Sequence, residues 1–347
     1  MTIKELCGYL ETFAPRDYQE SYDNAGLIVG NPAAEIKGAL VCLDSTEAVV
    51  EEAVKKGCNL VIAHHPIVFR GLKSLTGQTY VERVVMQAIK NDVAIYAIHT
   101  NLDNVYHRGV NAKIAEKIGL ESTRILSPKR TLKKLTFVTR QSREGAVKMA
   151  IEKALPLQVT EADIHFTSLP LTANGAIGHI KVELLMPSAG YQKLVQKLEQ
   201  EELAVSGSYE VSDVGNKSNH IGSGMIGKLP EPMTEMDFLQ HLKKVMQVGC
   251  VKYTRLLDRP VQTVAVCGGA GGFLLSSAIG KGADVFVTSD YKYHEFFDAD
   301  GKIVIADIGH YESEQYTIEL LYEIISEKFS NFAVYCTEVN TNPVNYL

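Results

Sequence analysis

One pattern of 27 residues occurs twice. "ALVCLDSTEAVVEEAVKKGCNLVIAHH", starting at Ala39, lies without a gap along "VAVCGGAGGFLLSSAIGKGADVFVTSD", starting at Val264, with Cys42 over Cys267 and Gly57 over Gly282. Each copy reads as strand, helix, strand. In the first, the pattern predicts strands at 37–44 and 59–63 around a helix at 46–56, then a helix at 77–91 and a strand at 93–98. A third strand follows in both copies, "VAIYAIHTNLD" against "KIVIADIGHYESE", and the second leads into a helix over 311–329. Short apolar strands alternating with helices specify parallel sheets covered on both faces. The expected fold is therefore α/β, built from two related halves with duplicated βαβ units.

Between the halves the text changes. Residues 130–228 hold strand-like "KLTFVT", a helical period at 142–154, strand-like "GHIKVELLMP", a second helical period at 191–203 and the glycine-rich "GNKSNHIGSGMIG". This rhythm predicts an inserted ferredoxin-like α+β domain at 129–228, with 1–128 and 229–347 forming the core. His165, His179 and His220 are isolated within or beside it and are expected to be surface or satisfied core residues.

Residues suited to chemistry gather where an open α/β sheet binds its ligands, beyond the carboxyl ends of its strands. Asp44 follows the first strand, His64 and His65 the second and Asp103 the third, while Asp290, His310 and Glu314 follow strands of the second half. In "NLVIAHHPIVF" a buried apolar run ends in two imidazoles and a proline. Pro66 ends the ladder and lets the turn re-aim both rings. Neutral imidazoles that converge on one pocket are well accommodated when each gives a nitrogen to a cation. His310 and Glu314, spaced i, i+4, share one helical face. His64, His65, Asp103, His310 and Glu314 together suit two divalent metal ions, zinc, iron or manganese rather than calcium, bridged by a carboxylate with positions open for water. His99 and His294 are candidates for proton transfer or for holding a ligand in place, against a purely structural role, and Asp44 and Asp290 are similar candidates. The "CGGAGG" at 267–272 either presents backbone N–H groups to an anion or simply makes a tight strand-to-helix turn.

The motifs "SYDNAGLIVGNP", "AIHTNLDN", "GSGMIGKLPEPM", "VAVCGGAGG" and "IADIGHYESE", with the HHP segment, resemble the Nif-three-like family, the GTP cyclohydrolase 1 type 2 homologs. The resemblance covers roughly 1–128 and 221–347. It implies a dinuclear metal centre with His64, His65, Asp103, His310 and Glu314 as ligands, a toroidal homohexamer and a cytoplasmic location. Longer members carry a middle domain that resembles PII or CutA proteins, and the insert has a compatible rhythm.

Two function classes follow. One is a metal-dependent hydrolase acting on a nucleotide or phosphoester; the other is a non-catalytic, metal-loaded hexamer that binds a partner or serves regulation. A formal charge of −6 and the lack of a basic run argue against nucleic acid. No apolar run approaches membrane-spanning length, and the acidic, amphipathic opening "MTIKELCGYLETFAP" is not expected to be a secretory signal. Six scattered cysteines without a CxxC pair suit a reducing cytoplasm.

Overall fold

The computed structural model describes residues 1–155, 164–171 and 178–347. In chain order, the first half contains α1 (Ile3–Phe13), β1 (Gly26–Val29), β2 (Gly38–Cys42), α2 (Glu47–Lys55), β3 (Leu60–Ala63), α3 (Tyr80–Lys90), β4 (Ala94–Ala97), α4 (Thr100–Asp103) and α5 (Val110–Ile118). After β5 (Glu121–Pro128) come β6 (Leu132–Arg140), α6 (Glu144–Ala154), β7 (His165–Pro170), β8 (His179–Pro187), α7 (Tyr191–Gln200) and β9 (Glu210–Asp213). The second half holds β10 (Gly222–Met233), α8 (Glu235–Val245), β11 (Lys252–Tyr253), β12 (Val261–Val266), α9 (Leu275–Gly280), β13 (Val285–Thr288), β14 (Val304–Asp307), α10 (His310–Glu314), α11 (Thr317–Lys328) and β15 (Ala333–Cys336).

The repeated text folds into repeated ladders. In the first sheet, ordered β1-β4-β3-β2-β15, Ala39 stands opposite Leu60 across parallel strands. In the second, ordered β11-β14-β13-β12-β10-β5, Val264 stands opposite Val285, the same register carried to the second copy. Gly57 and Gly282 also correspond in conformation, with φ of 71° and 73°, each just past the C-terminal cap of its helix. That left-handed position is where glycine ends a helix without a Cβ penalty.

Strand alternation divides the apolar side chains between three layers of core. Val41, Ile62 and Tyr96 from the first sheet, and Val266, Val287 and Ala306 from the second, share one cluster with the apolar faces of α1, α5, α8 and α11. Those helices are thus packed between the two sheets. Leu40, Val61 and Ile95 face the opposite way, under α2 and α3. Ala265, Phe286 and Ile305 likewise face outward, under α9 and the 3-10 segment Tyr293–Ala299. Because every residue of the central parallel strands meets protein on its own side, these strands carry no polar alternation.

The expected helix at 311–329 is two helices. The first already includes His310, and the break falls at Gln315 and Tyr316, whose side chains donate to Met246 O and Val245 O at the end of α8. The break therefore satisfies carbonyls that a helix terminus leaves unpaired.

The inserted strands form an antiparallel sheet, β7-β8-β6-β9, with the β-α-β-β-α-β succession of a ferredoxin-like unit and its own apolar cluster around Phe137, Val182, Leu184, Leu194 and Leu198. Its boundary lies earlier than expected from sequence. Residues 222–228 belong to β10, which pairs with both β5 and β12 in the second sheet. Gly222 is the register partner of Pro128, so the insert leaves and rejoins the core at neighbouring positions. No helix among the described residues is long and apolar enough to cross a membrane.

Separate clusters predict separable unfolding. Leu184→Ala should destabilise the insert by about 2–5 kcal/mol, and hydrogen exchange should accelerate in β6 and β8 while β12, β13 and β14 keep their protection.

Candidate metal centre

The strand ends deliver their side chains to one cluster. His64 and His65 directly follow β3, where their N–H groups donate to Cys42 O and Leu43 O of the neighbouring strand end. Asp103 closes α4, the single turn after β4, while His310 and Glu314 open and close α10, the single turn after β14. The third strand of each half thus leads into a short helix that carries a carboxylate to the centre. Glu314 is the hub. Its Oε2 is 2.9 Å from His65 Nε2 and 3.1 Å from His310 Nε2, and its Oε1 is 3.8 Å from His64 Nε2. His64 Nε2 lies 3.6 Å from Asp103 Oδ1. His65 and His310 bring their Nε2 atoms within 3.3 Å of one another.

Each imidazole is held from behind. His64 Nδ1 donates to Ile98 O at 2.8 Å, His65 Nδ1 to Asp44 at 2.8 Å, His310 Nδ1 to Asp290 at 2.7 Å and His99 Nδ1 to Asp23 at 2.8 Å. An acceptor on Nδ1 places the proton there and leaves the Nε2 lone pair for the centre, as in metal-binding histidines. His64 Nε2 and Asp103 Oδ1 are buried without a hydrogen-bond partner. Orphaned buried polar atoms of this kind are costly unless something else meets them, and a divalent cation between an imidazole nitrogen and a carboxylate oxygen does so. Among the described residues, three groups have ligand atoms within 4.8 Å of one another: His64, Asp103 and Glu314; His65, His310 and Glu314; and His64, His65 and His99.

The charges respond to this crowding. Glu314 is 3% exposed; burial works against its charge, yet hydrogen bonding from the histidines holds its carboxyl well below the usual range. Burial, and then the Glu314 charge, push Asp103 well above the usual range. Burial lowers His64, so that ring is neutral. Burial also opposes the charge on His65 and His310, but their carboxylate partners outweigh it and raise them to about 9 and about 11.

The structure brings His64, His65, Asp103, His310 and Glu314 together, with His99 beside them and Asp44 and Asp290 behind His65 and His310. His294 is not brought there. It is exposed, stacks edge-on against Tyr293 and does not line the cavity, because its 3-10 segment turns Phe296 and Ala299 toward the second sheet and His294 to solvent. The glycine-rich loop resolves in favour of the tight turn. Its Gly268, Gly269 and Gly271 N–H groups already donate to Asn111, Ser313 and Thr288 side chains. Its glycines permit close approach to the hub: a Cβ on Gly269, whose φ is 63°, would stand 2.5 Å from Glu314 Oε1. Sequence reasoning assigned no role to Asp23, although it lies in a motif noted above. Its only signal is spatial, the bonds to His99 Nδ1 and to Thr100 N.

The cluster opens into a cavity of about 1380 Å³. Tyr22 and Phe69, stacked at 6.3 Å between centroids, and Phe273 give it aromatic walls, and Arg70, Lys73 and Lys252 give it cations.

A two-sheet α/β core with a cluster at its strand ends that could hold a metal ion defines the class. The Duf34/NIF3 (NGG1p interacting factor 3) profile matches residues 1–343, and the chain belongs to that family. A Staphylococcus epidermidis protein named "GTP cyclohydrolase 1 type 2 homolog" is 33% identical, with 100% of both chains covered. A Bacillus subtilis protein of the same name is 30% identical, covering 99% of this chain and 98% of its own. The crystal structure of a Bacillus cereus protein related to NIF3 superposes with a TM-score of 0.81 at 29% identity, covering 100% of this chain and 99% of that one.

The raised His65 value sets a pH dependence for cation-free protein. The stability contributed by its protonated ring is fully present below the ordinary value near 6.5 and is lost as pH rises through about 9; His310 acts in the same direction at higher pH. The unfolding temperature of chelator-treated protein should fall between pH 7 and 10, and less steeply in Glu314→Gln, as read by scanning calorimetry.

Proposed function

We propose that the protein is a dinuclear metal-dependent hydrolase acting on a nucleotide or phosphoester. The observation that carries this reading is the division of the Glu314 carboxylate, Oε1 toward His64 and Oε2 toward His65 and His310, with Asp103 grouped beside His64. His64, Asp103 and Glu314 would hold one cation, and His65, His310 and Glu314 the other. The mixture of imidazole and carboxylate suits zinc, iron or manganese. Such a pair, when bound, supplies a water nucleophile at neutral pH and polarises the bond under attack.

The protein's own groups supply the rest. Asp23 keeps the His99 proton on Nδ1, so Nε2 can accept a proton at the cavity wall. Arg70 and Lys73 attract an anionic substrate, and Tyr22 and Phe69 offer faces on which a flat ring can stack. The name carried by the relatives supports a nucleotide.

Metal analysis with a screen of nucleotides and phosphoesters tests this. His65→Ala and Glu314→Ala should lose metal and hydrolysis together, whereas His99→Gln should keep metal and lower hydrolysis by about 10²–10⁴-fold. A fully loaded protein that cleaves no member of the screen would instead support the non-catalytic, metal-loaded binding role.

A cytoplasmic homohexamer belongs to the same proposal. Tyr253, Tyr293 and Phe297 are exposed side by side around a second, smaller cavity next to the two-residue edge strand β11, an apolar patch suited to another copy of the chain. Analytical ultracentrifugation should give the mass of six chains; a single-chain mass at micromolar concentration would overturn the ring.

A further inference from the structure

We infer that residues 337–346 are a working part of the metal site: they brace the two halves across it, and Thr341 positions His65 through Asp44. The segment follows β15, which lies parallel to β2 at the edge of the first sheet. Its start is pinned to the first half, where Thr337 N donates to Val41 O, Thr337 Oγ1 donates to Glu52, and Lys56 pairs with Glu338. Val339 packs on the outer apolar cluster of that half. The next residues then cross the mouth of the site.

Thr341 Oγ1 donates to Asp44 Oδ2 at 2.6 Å, while Asp44 Oδ1 accepts from His65 Nδ1–H at 2.8 Å. With both oxygens engaged, the carboxylate is fixed in rotation, and so is the imidazole whose Nε2 meets Glu314. Asn342, one residue on, reaches the other half: its Nδ2 donates to Glu312 Oε1 at 2.9 Å. Glu312 sits on α10 between His310 and Glu314. Tyr346 closes over the same place: a Cβ on Gly309 would stand 2.2 Å from Glu312 Oε2 and 2.8 Å from the Tyr346 oxygen. Consecutive residues therefore grip the support of a first-half ligand and the helix that carries both second-half ligands. Asn342, Pro343, Val344 and Tyr346 also wall the cavity.

The inference rests on the metal reading, and its test separates the two. Cobalt(II) alone serves as the probe on the full chain, with affinity measured by chelator competition and geometry by the visible d–d absorption. Thr341→Val, which keeps the shape and removes the hydroxyl, should weaken cobalt binding by about 10–100-fold, the range for groups that support a metal ligand, and should alter the absorption band. Thr341→Ser should restore both, and cation-free Thr341→Val should still unfold in one cooperative transition at a modestly lower temperature. Wild-type affinity and spectrum in Thr341→Val would overturn the brace and leave the metal site standing. A wild-type protein that takes up no cobalt would overturn the metal reading, and the brace with it.

Discussion

A carboxylate taken out of water needs compensation for several kcal/mol of lost hydration, and the centre of this molecule is arranged around one such group. Glu314 is nearly inaccessible, and of the imidazoles around it His310 stands one helical turn before it while His65 comes from 249 positions away in the chain. The parallel strands place those segments, the single-turn helices aim them, and the glycines of 268–269 keep the neighbouring backbone close without displacing the acid. Removing any one of these elements leaves a buried charge without its partners. The centre is therefore a condition on the whole fold, and the ring nitrogens must face inward for that condition to hold.

The two halves share a ladder but not a chemistry. At matching strand ends the first offers His64 and His65 where the second offers Ser289 and Asp290. Ser289 is spent on the glycine-rich turn, donating to Gly269 O, and Asp290 supports His310 from behind. The first half thus contributes nitrogen donors at the second strand, while the second contributes its nitrogen donor and the shared acid Glu314 at the third. Neither half has all five of His64, His65, Asp103, His310 and Glu314, so only the docked halves bring that set together.

Much of this was legible in the text because it depends on local periodicity. The core strands and helices lie within a few residues of the spans expected from apolar patterning, and the duplicated register follows from a gapless match. The five ligand-type residues were visible because each stands at the end of a strand, where side chains that pack poorly are otherwise hard to account for. What sequence could not supply is direction and distance. His294 sits near the right strand in sequence, but its 3-10 segment points it at solvent. The break after Glu314 depends on carbonyls of α8, some seventy residues away, and the end of the insert depends on strand pairing of β10. Asp23 and Thr341 act through partners 76 and 297 positions distant, a relation no spacing rule contains.

Pro128 and Gly222 face each other across an antiparallel pair. In topological terms the middle domain is an overgrown hairpin loop, tethered at one point on the rim of the second sheet. Lengthening such a loop raises its closure entropy only slowly, by about 0.6 kcal/mol for each doubling. Natural variation can therefore enlarge, exchange or delete this module as a cassette, and the two-sheet core would register the change chiefly at β5 and β10 and hardly at all in the His/carboxylate cluster.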